Sequence, residues 1–265
     1  MLSFSETQIP FVGISTFTTP KEVEMAKRYF DQLPDRRLHV GAMTNQEVFL
    51  ANPEDAKPRR TLLTKEELQE VFTDGKNVFN VLHWKDDGMY PMTTSNDLIM
   101  ACTKCGPSLS GLQLDMVWPD PEMIIEVKST LPKLSVIVRI CDAAMTRVEA
   151  LGSSFEYMLR TYLGVADYVL LDCGMKEDTT YVSTTMLALI KQTGLIFPET
   201  SIIVGGGMCS NTVNALHPIL TQYPRISWEA SEGLHTRKSL VDPLDINRMK
   251  GYLVKSKHLA LRFKK

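Results

Sequence analysis

Short runs rich in β-branched and aromatic residues recur along this chain. Each gives way to a longer segment whose apolar positions return every three or four residues. The short runs are Phe11–Thr16, Leu38–Met43, Asn77–Trp84, Gly111–Trp118, Leu134–Cys141, Asp167–Cys173, Ser201–Val204 and Arg225–Glu229. The segments of helical character are Pro20–Gln32, Thr64–Phe72, Ser95–Lys104, Pro121–Thr130, Ala143–Tyr162, Val182–Thr193, Asn211–Gln222 and Asp242–Lys257. Helix-start signals support three of them: Thr19-Pro20 with acidic residues next, Thr64 with Glu67 three residues on, and Asp242-Pro243. The strands read as nearly continuous apolar runs, the pattern of a parallel sheet covered on both faces. This alternation predicts an α/β protein, a (β/α)8 barrel formed by residues 1–265 as one domain. A doubly wound open sheet is the competing arrangement.

Composition narrows the chemistry. A hydrophobic fraction of 44%, a charged fraction of 23% and a net charge of −2 describe an ordinary globular chain with no electrostatic footing for nucleic acid. No apolar run approaches the roughly 18–20 residues that span a bilayer, and Glu6 and Gln8 interrupt any secretory-signal pattern. Five cysteines, three of them in apolar runs, suit reduced thiols and a cytoplasmic setting. Cys102-Thr-Lys-Cys105 has metal or redox spacing but lacks a second pair to complete a four-ligand site.

In a barrel of this kind, side chains at strand C-termini do the chemistry. The strand list therefore selects Ser15, Asn45, His83, Asp115, Arg139, Asp142, Asp172, the Gly205–Gly207 loop, Glu229 and Ser231. Asp172 ends the apolar run Tyr168-Val-Leu-Leu and is expected to be desolvated, which raises a carboxyl pKa toward the range of a general acid. Asp115 reads equally as a helix cap or a catalytic group. His83 reads as a base, a metal ligand or a satisfied core histidine. His83, Asp115 and His235 have no diagnostic metal spacing, so neither a metal nor a cofactor is expected. The segment Ser201-Ile-Ile-Val-Gly-Gly-Gly-Met-Cys-Ser-Asn-Thr-Val213 joins a buried strand, a loop without side chains and an expected helix start near Asn211. Such a device presents backbone amides to an anion such as phosphate; a tight turn without ligand is the alternative.

Three motifs resemble phosphoribosylanthranilate isomerase, a TIM barrel of the ribulose-phosphate-binding type. Val204-Gly-Gly-Gly-Met-Cys-Ser-Asn-Thr-Val213 is similar to that family's seventh-strand phosphate loop. Ser227-Trp-Glu-Ala-Ser-Glu-Gly233, with Asp242-Pro-Leu-Asp-Ile246 after it, is similar to its eighth-strand signature and last helix start. Leu170-Leu-Asp172 matches the strand bearing its catalytic aspartate. The resemblance implies an Amadori-type aldose–ketose isomerisation of a phosphorylated sugar in tryptophan biosynthesis. Asp172 would be the acid, and Gly205, Gly206, Gly207, Asn211, Ser231 and Gly233 would hold phosphate. Arg60 would contact the rest of the substrate, and Arg139 and Glu229, selected at the strand ends, are expected to bind substrate beside it. The implied partner is a phosphorylated small molecule, with a homodimer left open. Ser15 stands where the family has its cysteine base, and a serine hydroxyl ionises far too weakly to replace a thiol of pKa about 8.5. Glu232 stands where the family has a second serine. An aldolase or epimerase of the same superfamily, or a barrel that binds without catalysing, are the alternatives.

Overall fold

Eight parallel strands close on themselves in chain order: β1 (Phe11–Ile14), β2 (Arg37–Thr44), β3 (Val78–Lys85), β4 (Gly111–Asp115), β5 (Ser135–Cys141), β6 (Tyr168–Asp172), β7 (Ser201–Val204) and β8 (Ser227–Ala230). This is a (β/α)8 barrel, seen in a computed structural model that describes residues 8–30, 33, 35–51, 61–86, 88, 92–172, 181–198, 201–238, 240 and 242–263. The α-helices are Pro20–Phe30, Gln46–Leu50, Lys65–Val71, Ser95–Lys104, Pro121–Thr130, Asp142–Ala150, Phe155–Arg160, Tyr181–Ile196, His217–Gln222 and Ile246–Arg262.

The strands are two-faced, with a period of two. Outward residues such as Val12, Val40, Leu82, Leu114, Val138, Leu171, Val204 and Trp228 join the helices in one large apolar core. Inward residues divide by depth. Phe11, Phe79, Val81, Ile137, Tyr168, Leu170 and Ile203 form a separate apolar cluster. Towards the strand C-termini, the same inward rows carry His39, His83, Gln113, Arg139 and Glu229. An apolar floor and a polar mouth follow from which residue occupies each inward position.

Local chemistry explains the helix starts. Thr64 and Glu67 form the expected reciprocal capping box, and Thr94 with Asp97 forms another. Three boundaries differ from the sequence-based expectation. The segment Ala143–Tyr162 is two helices, because Gly152 turns back at φ 60 and Ser154 caps a new start at Phe155 by accepting from the Tyr157 amide. No α-helix begins near Asn211: a 3-10 turn, Val213–Leu216, precedes the helix that starts at His217. A proline ring at position 218 would collide with the carbonyl four residues back, so no α-helix can run unbroken from 211 through it. The last helix is capped by Asp245, whose Oδ1 accepts from Asn247 and Arg248, because Leu244 is still extended and bridged to His235. Asp242 instead pairs with Arg237.

The loops after β7 and β8 pack backbone to backbone. A Cβ at Gly233 would collide with the carbonyl oxygen of Met208, which is backbone and cannot swing aside. Gly233→Ala is therefore expected to lower stability by about 1–3 kcal/mol, as over-packing does, measured by urea denaturation. An unchanged midpoint would show that the two loops are free to separate.

Candidate active site

A cavity of about 340 Å³ opens at the C-terminal mouth of the barrel. Ser15, His83, Asp115, Arg139, Asp172, Gly206, Gly207, Glu229 and Ser231 all line it. Met43, Lys85, Gln113, Glu232 and Leu240 complete the wall. Of the residues selected from sequence, Gly205, Asn211 and Gly233 lie outside this lining, as do Asn45 and Asp142. Gly205 is held back by its amide, which donates to the Leu171 carbonyl. Asn211 is exposed in a turn, displaced because the helix that was to begin there starts later. Asn45 caps the short helix Gln46–Leu50. Arg60 lies outside the described residues, as do Cys173 and residues 174–180.

One wall is an aspartate–arginine pair. Arg139 on β5 donates from Nε to Asp172 Oδ2 on β6 at 2.7 Å, and its Nη2 donates to the same oxygen. Burial pushes the Asp172 carboxyl up to about 6, against the guanidinium, with Glu229 and Asp115 adding to the rise. Asp115 shows the opposite balance. Burial opposes its charge, but His83, Arg139 and the amide of Gln113 together hold its carboxyl below the usual range. Gln113 Nε2 lies 2.9 Å from Asp115 Oδ1 and 3.5 Å from Glu229 Oε1, which ties the two carboxylates together.

The other wall is built from histidine. His39, which lies two inward positions below Met43 and beneath the cavity lining, was not selected from sequence. Its Nε2 is 3.1 Å from His83 Nε2, and the two ring planes are 19° apart. Glu229 Oε2 approaches His39 Nδ1 at 3.3 Å, and Asp115 Oδ2 approaches His83 Nδ1 at 3.7 Å. Neither Nδ1 makes a hydrogen bond, nor does Glu229 Oε2. Burial, opposed by Glu229, lowers the His39 pKa. Ser15 is buried with its hydroxyl oxygen unpartnered.

His235 belongs to neither wall. Its Nδ1 meets the Asp242 carbonyl at 2.7 Å and its Nε2 meets Thr16 Oγ1 at 2.9 Å, a satisfied structural histidine that joins the β8 loop to β1. Cys102 and Cys105 are buried in the outer core, and burial pushes the Cys105 thiol up to about 12. Among the described residues, no helix is long and apolar enough to cross a membrane.

No protein-family model and no curated protein sequence matches this chain. Solved structures do. Phosphoribosyl anthranilate isomerase from Thermus thermophilus aligns over 95% of this chain and 99% of its own, at 14% identity and a TM-score of 0.60. The same enzyme from Thermotoga maritima aligns over 93% and 99%, at 12% identity and 0.58. The tryptophan synthase alpha chain from Legionella pneumophila subsp. pneumophila aligns over 96% and 92%, at 11% identity and 0.59. The likeness is one of fold. It places this chain among barrels structurally similar to the isomerase, and the chemistry rests on the residues of the cavity.

Asp172 is expected to titrate near pH 6 by carboxyl 13C NMR. Arg139→Gln is expected to move that midpoint upward, because it removes the charge that opposes burial. The folded-state value lies above the ordinary 3.8, so the folded chain holds an extra proton between the two. The stability that proton confers is fully present below pH 3.8 and is lost as pH rises through about 6. A midpoint near 4, unmoved by Arg139→Gln, would show an aspartate in water.

Proposed function

We propose that this protein is an acid–base isomerase that interconverts an aldose derivative and a ketose, with Asp172 as acid and Asp115 as base. One observation carries the reading. Two carboxyl groups in a single cavity have environments that push their proton affinities apart, up to about 6 for Asp172 and down for Asp115. Near neutral pH a fraction of one keeps a proton to give, while the other is ionised and ready to take one. Arg139 interacts with both, and its charge favours the carboxylate left on Asp172 once the proton is given and the carboxylate that Asp115 carries before it takes one.

The chemistry needs only these two groups. Asp172 gives its proton to the sugar ring oxygen as the C1–O bond breaks. Asp115 removes the proton at C2, and the electrons of that C–H bond form the C1–C2 double bond. The enol then loses its hydroxyl proton and gains a proton at C1, which leaves a ketone at C2. Atoms balance, and the sugar is its own oxidant and reductant. Ser15, with an unpartnered hydroxyl in the same cavity, supplies a hydrogen bond to the substrate rather than the base. Phosphoribosylanthranilate, whose turnover in the similar enzymes' family is implied to use a cysteine at this place, is accordingly expected to be a poor substrate.

A phosphoryl end of the substrate would rest on Gly206 and Gly207, whose φ values of 88 and 53 turn the chain where an L side chain is strained. Glu232 lines the same cavity and opposes a phosphate dianion. Glu232→Ser is therefore expected to strengthen binding of sugar phosphates several-fold in a thermal-shift titration, and to leave unphosphorylated sugars unaffected. Equal effects on both classes would remove the phosphate from the reading.

Turnover is tested on whichever sugar derivative stabilises the chain. Asp172→Asn keeps the shape and removes the proton, so kcat should fall by about 10²–10⁴-fold. In the parent chain, kcat should decline as pH rises above about 6, since the acid is lost there. Full activity in Asp172→Asn would refute the assignment.

A further inference from the structure

The centre of an eight-stranded barrel is normally filled by bulky apolar side chains. Here several inward positions are glycines, and two of them, Gly13 and Gly41, face the histidine wall. Gly13 on β1 is level with His39 on β2 and with Glu229 on β8. A Cβ at Gly13 would lie 2.6 Å from His39 Nδ1 and 2.8 Å from Glu229 Cβ. Side chains from strands on either side of β1 therefore meet across a residue that has none. Gly41 on β2 repeats the device one inward position higher: its Cβ would lie 2.6 Å from His83 Nε2 and 3.0 Å from His39 Nε2. Any other residue at either place would occupy the space where the three side chains converge.

We infer that His39, His83 and Glu229 form a binding site for a divalent first-row transition metal, with zinc the probe of choice. One ligand atom from each residue lies within 4.8 Å of the others. All three residues are buried, with the histidines wholly removed from solvent. The 3.1 Å between the two Nε2 atoms is close to the roughly 3.3 Å edge expected between two imidazoles on a tetrahedral ion with bonds of about 2.0 Å. Two imidazoles and one carboxylate are a ligand set that suits zinc and its neighbours, and hard ions such as magnesium poorly.

The polar atoms left over support the same conclusion. His39 Nδ1 faces Glu229 Oε2 at 3.3 Å and His83 Nδ1 faces Asp115 Oδ2 at 3.7 Å, but neither buried contact has the geometry of a formed hydrogen bond, an arrangement that costs stability unless something compensates. A cation would take the Nε2 lone pair of each imidazole and make each Nδ1–H a committed donor, that of His39 to Glu229 Oε2, so that the second carboxylate oxygen of Glu229 would complete the ligand set. His83 would then face Asp115 Oδ2, now 3.7 Å away, as an outer-shell partner. Net charge agrees. The cavity wall carries the acidic residues Asp115, Asp172, Glu229 and Glu232 against Lys85 and Arg139. A dication at its base would neutralise the excess. Remaining coordination positions would face the mouth, open to water or to a substrate oxygen. This inference does not rest on the isomerase reading, since it concerns binding to the chain alone.

Isothermal titration of the chelator-treated full chain with zinc is expected to show one tight equivalent. X-ray absorption of that species should show two imidazoles and one or more oxygens around the ion. His39→Gln, His83→Gln and Glu229→Gln should each weaken binding by more than the about 10–100-fold that loss of an outer-shell partner costs. His217→Gln/His258→Gln, which removes two exposed histidines, should leave it unchanged. Circular dichroism separates lost binding from lost folding in the variants, and the absorption spectrum of the unaltered chain decides the matter if they do not fold. No tight equivalent, or an ion held by fewer than two imidazoles, would overturn the proposal. So would a low-field proton resonance shared by two histidines in a chain that takes up no zinc, because the pair would then be bridged by a proton.

Discussion

Space inside the barrel governs everything else in this molecule. Eight strands enclose a lumen just wide enough for side chains to fill, so each inward position is a choice between packing and chemistry. Below the middle, seven aromatic and branched residues form an apolar cluster across the lumen. Above it, Gly13 and Gly41 give up their share, and imidazoles stand where a floor of valine or leucine would have been. Close packing elsewhere makes the exchange affordable: the outer core between strands and helices is continuous and almost wholly apolar.

Charge is arranged with comparable economy. Four carboxylates share the mouth, yet they do not behave alike. Arg139 reaches Asp172 with two N–H groups and interacts with Asp115 at longer range, but burial dominates at the first and the combined pull of His83, Arg139 and Gln113 dominates at the second. Identical side chains on neighbouring parts of one wall thus become different reagents. The difference comes from partners on three strands, so local sequence around either aspartate does not reveal it.

That contrast explains how much was legible beforehand. The change of hydrophobic period from strand to helix is local, and it located all eight strands to within a few residues. The strand-end rule then named Ser15, His83, Asp115, Arg139, Asp172 and Glu229, which the fold does bring to one cavity. His39 escaped because β2 was read as a plain apolar run. Its alternation, Arg37-Leu-His-Val-Gly41, sets His39 and Gly41 on one face, and counting in twos would have found them. Pro218 and Gly152 were equally visible as breaks, and each moved a helix start that hydrophobic periodicity alone had misplaced. The facing of His39 against His83 across 3.1 Å was beyond any such reading, since it depends on the register between two strands.

The aromatic floor has a consequence for traffic. Phe11, Phe79 and Tyr168 sit with ring centres 5.4–5.6 Å apart, and Arg37 lies over Phe79 while donating to the Tyr168 hydroxyl at 2.9 Å. Among the described residues, these rings make the well blind-ended. Whatever enters must leave by the same door, so arrival and departure cannot overlap in time. A molecule lodged across the rim would block both directions at once.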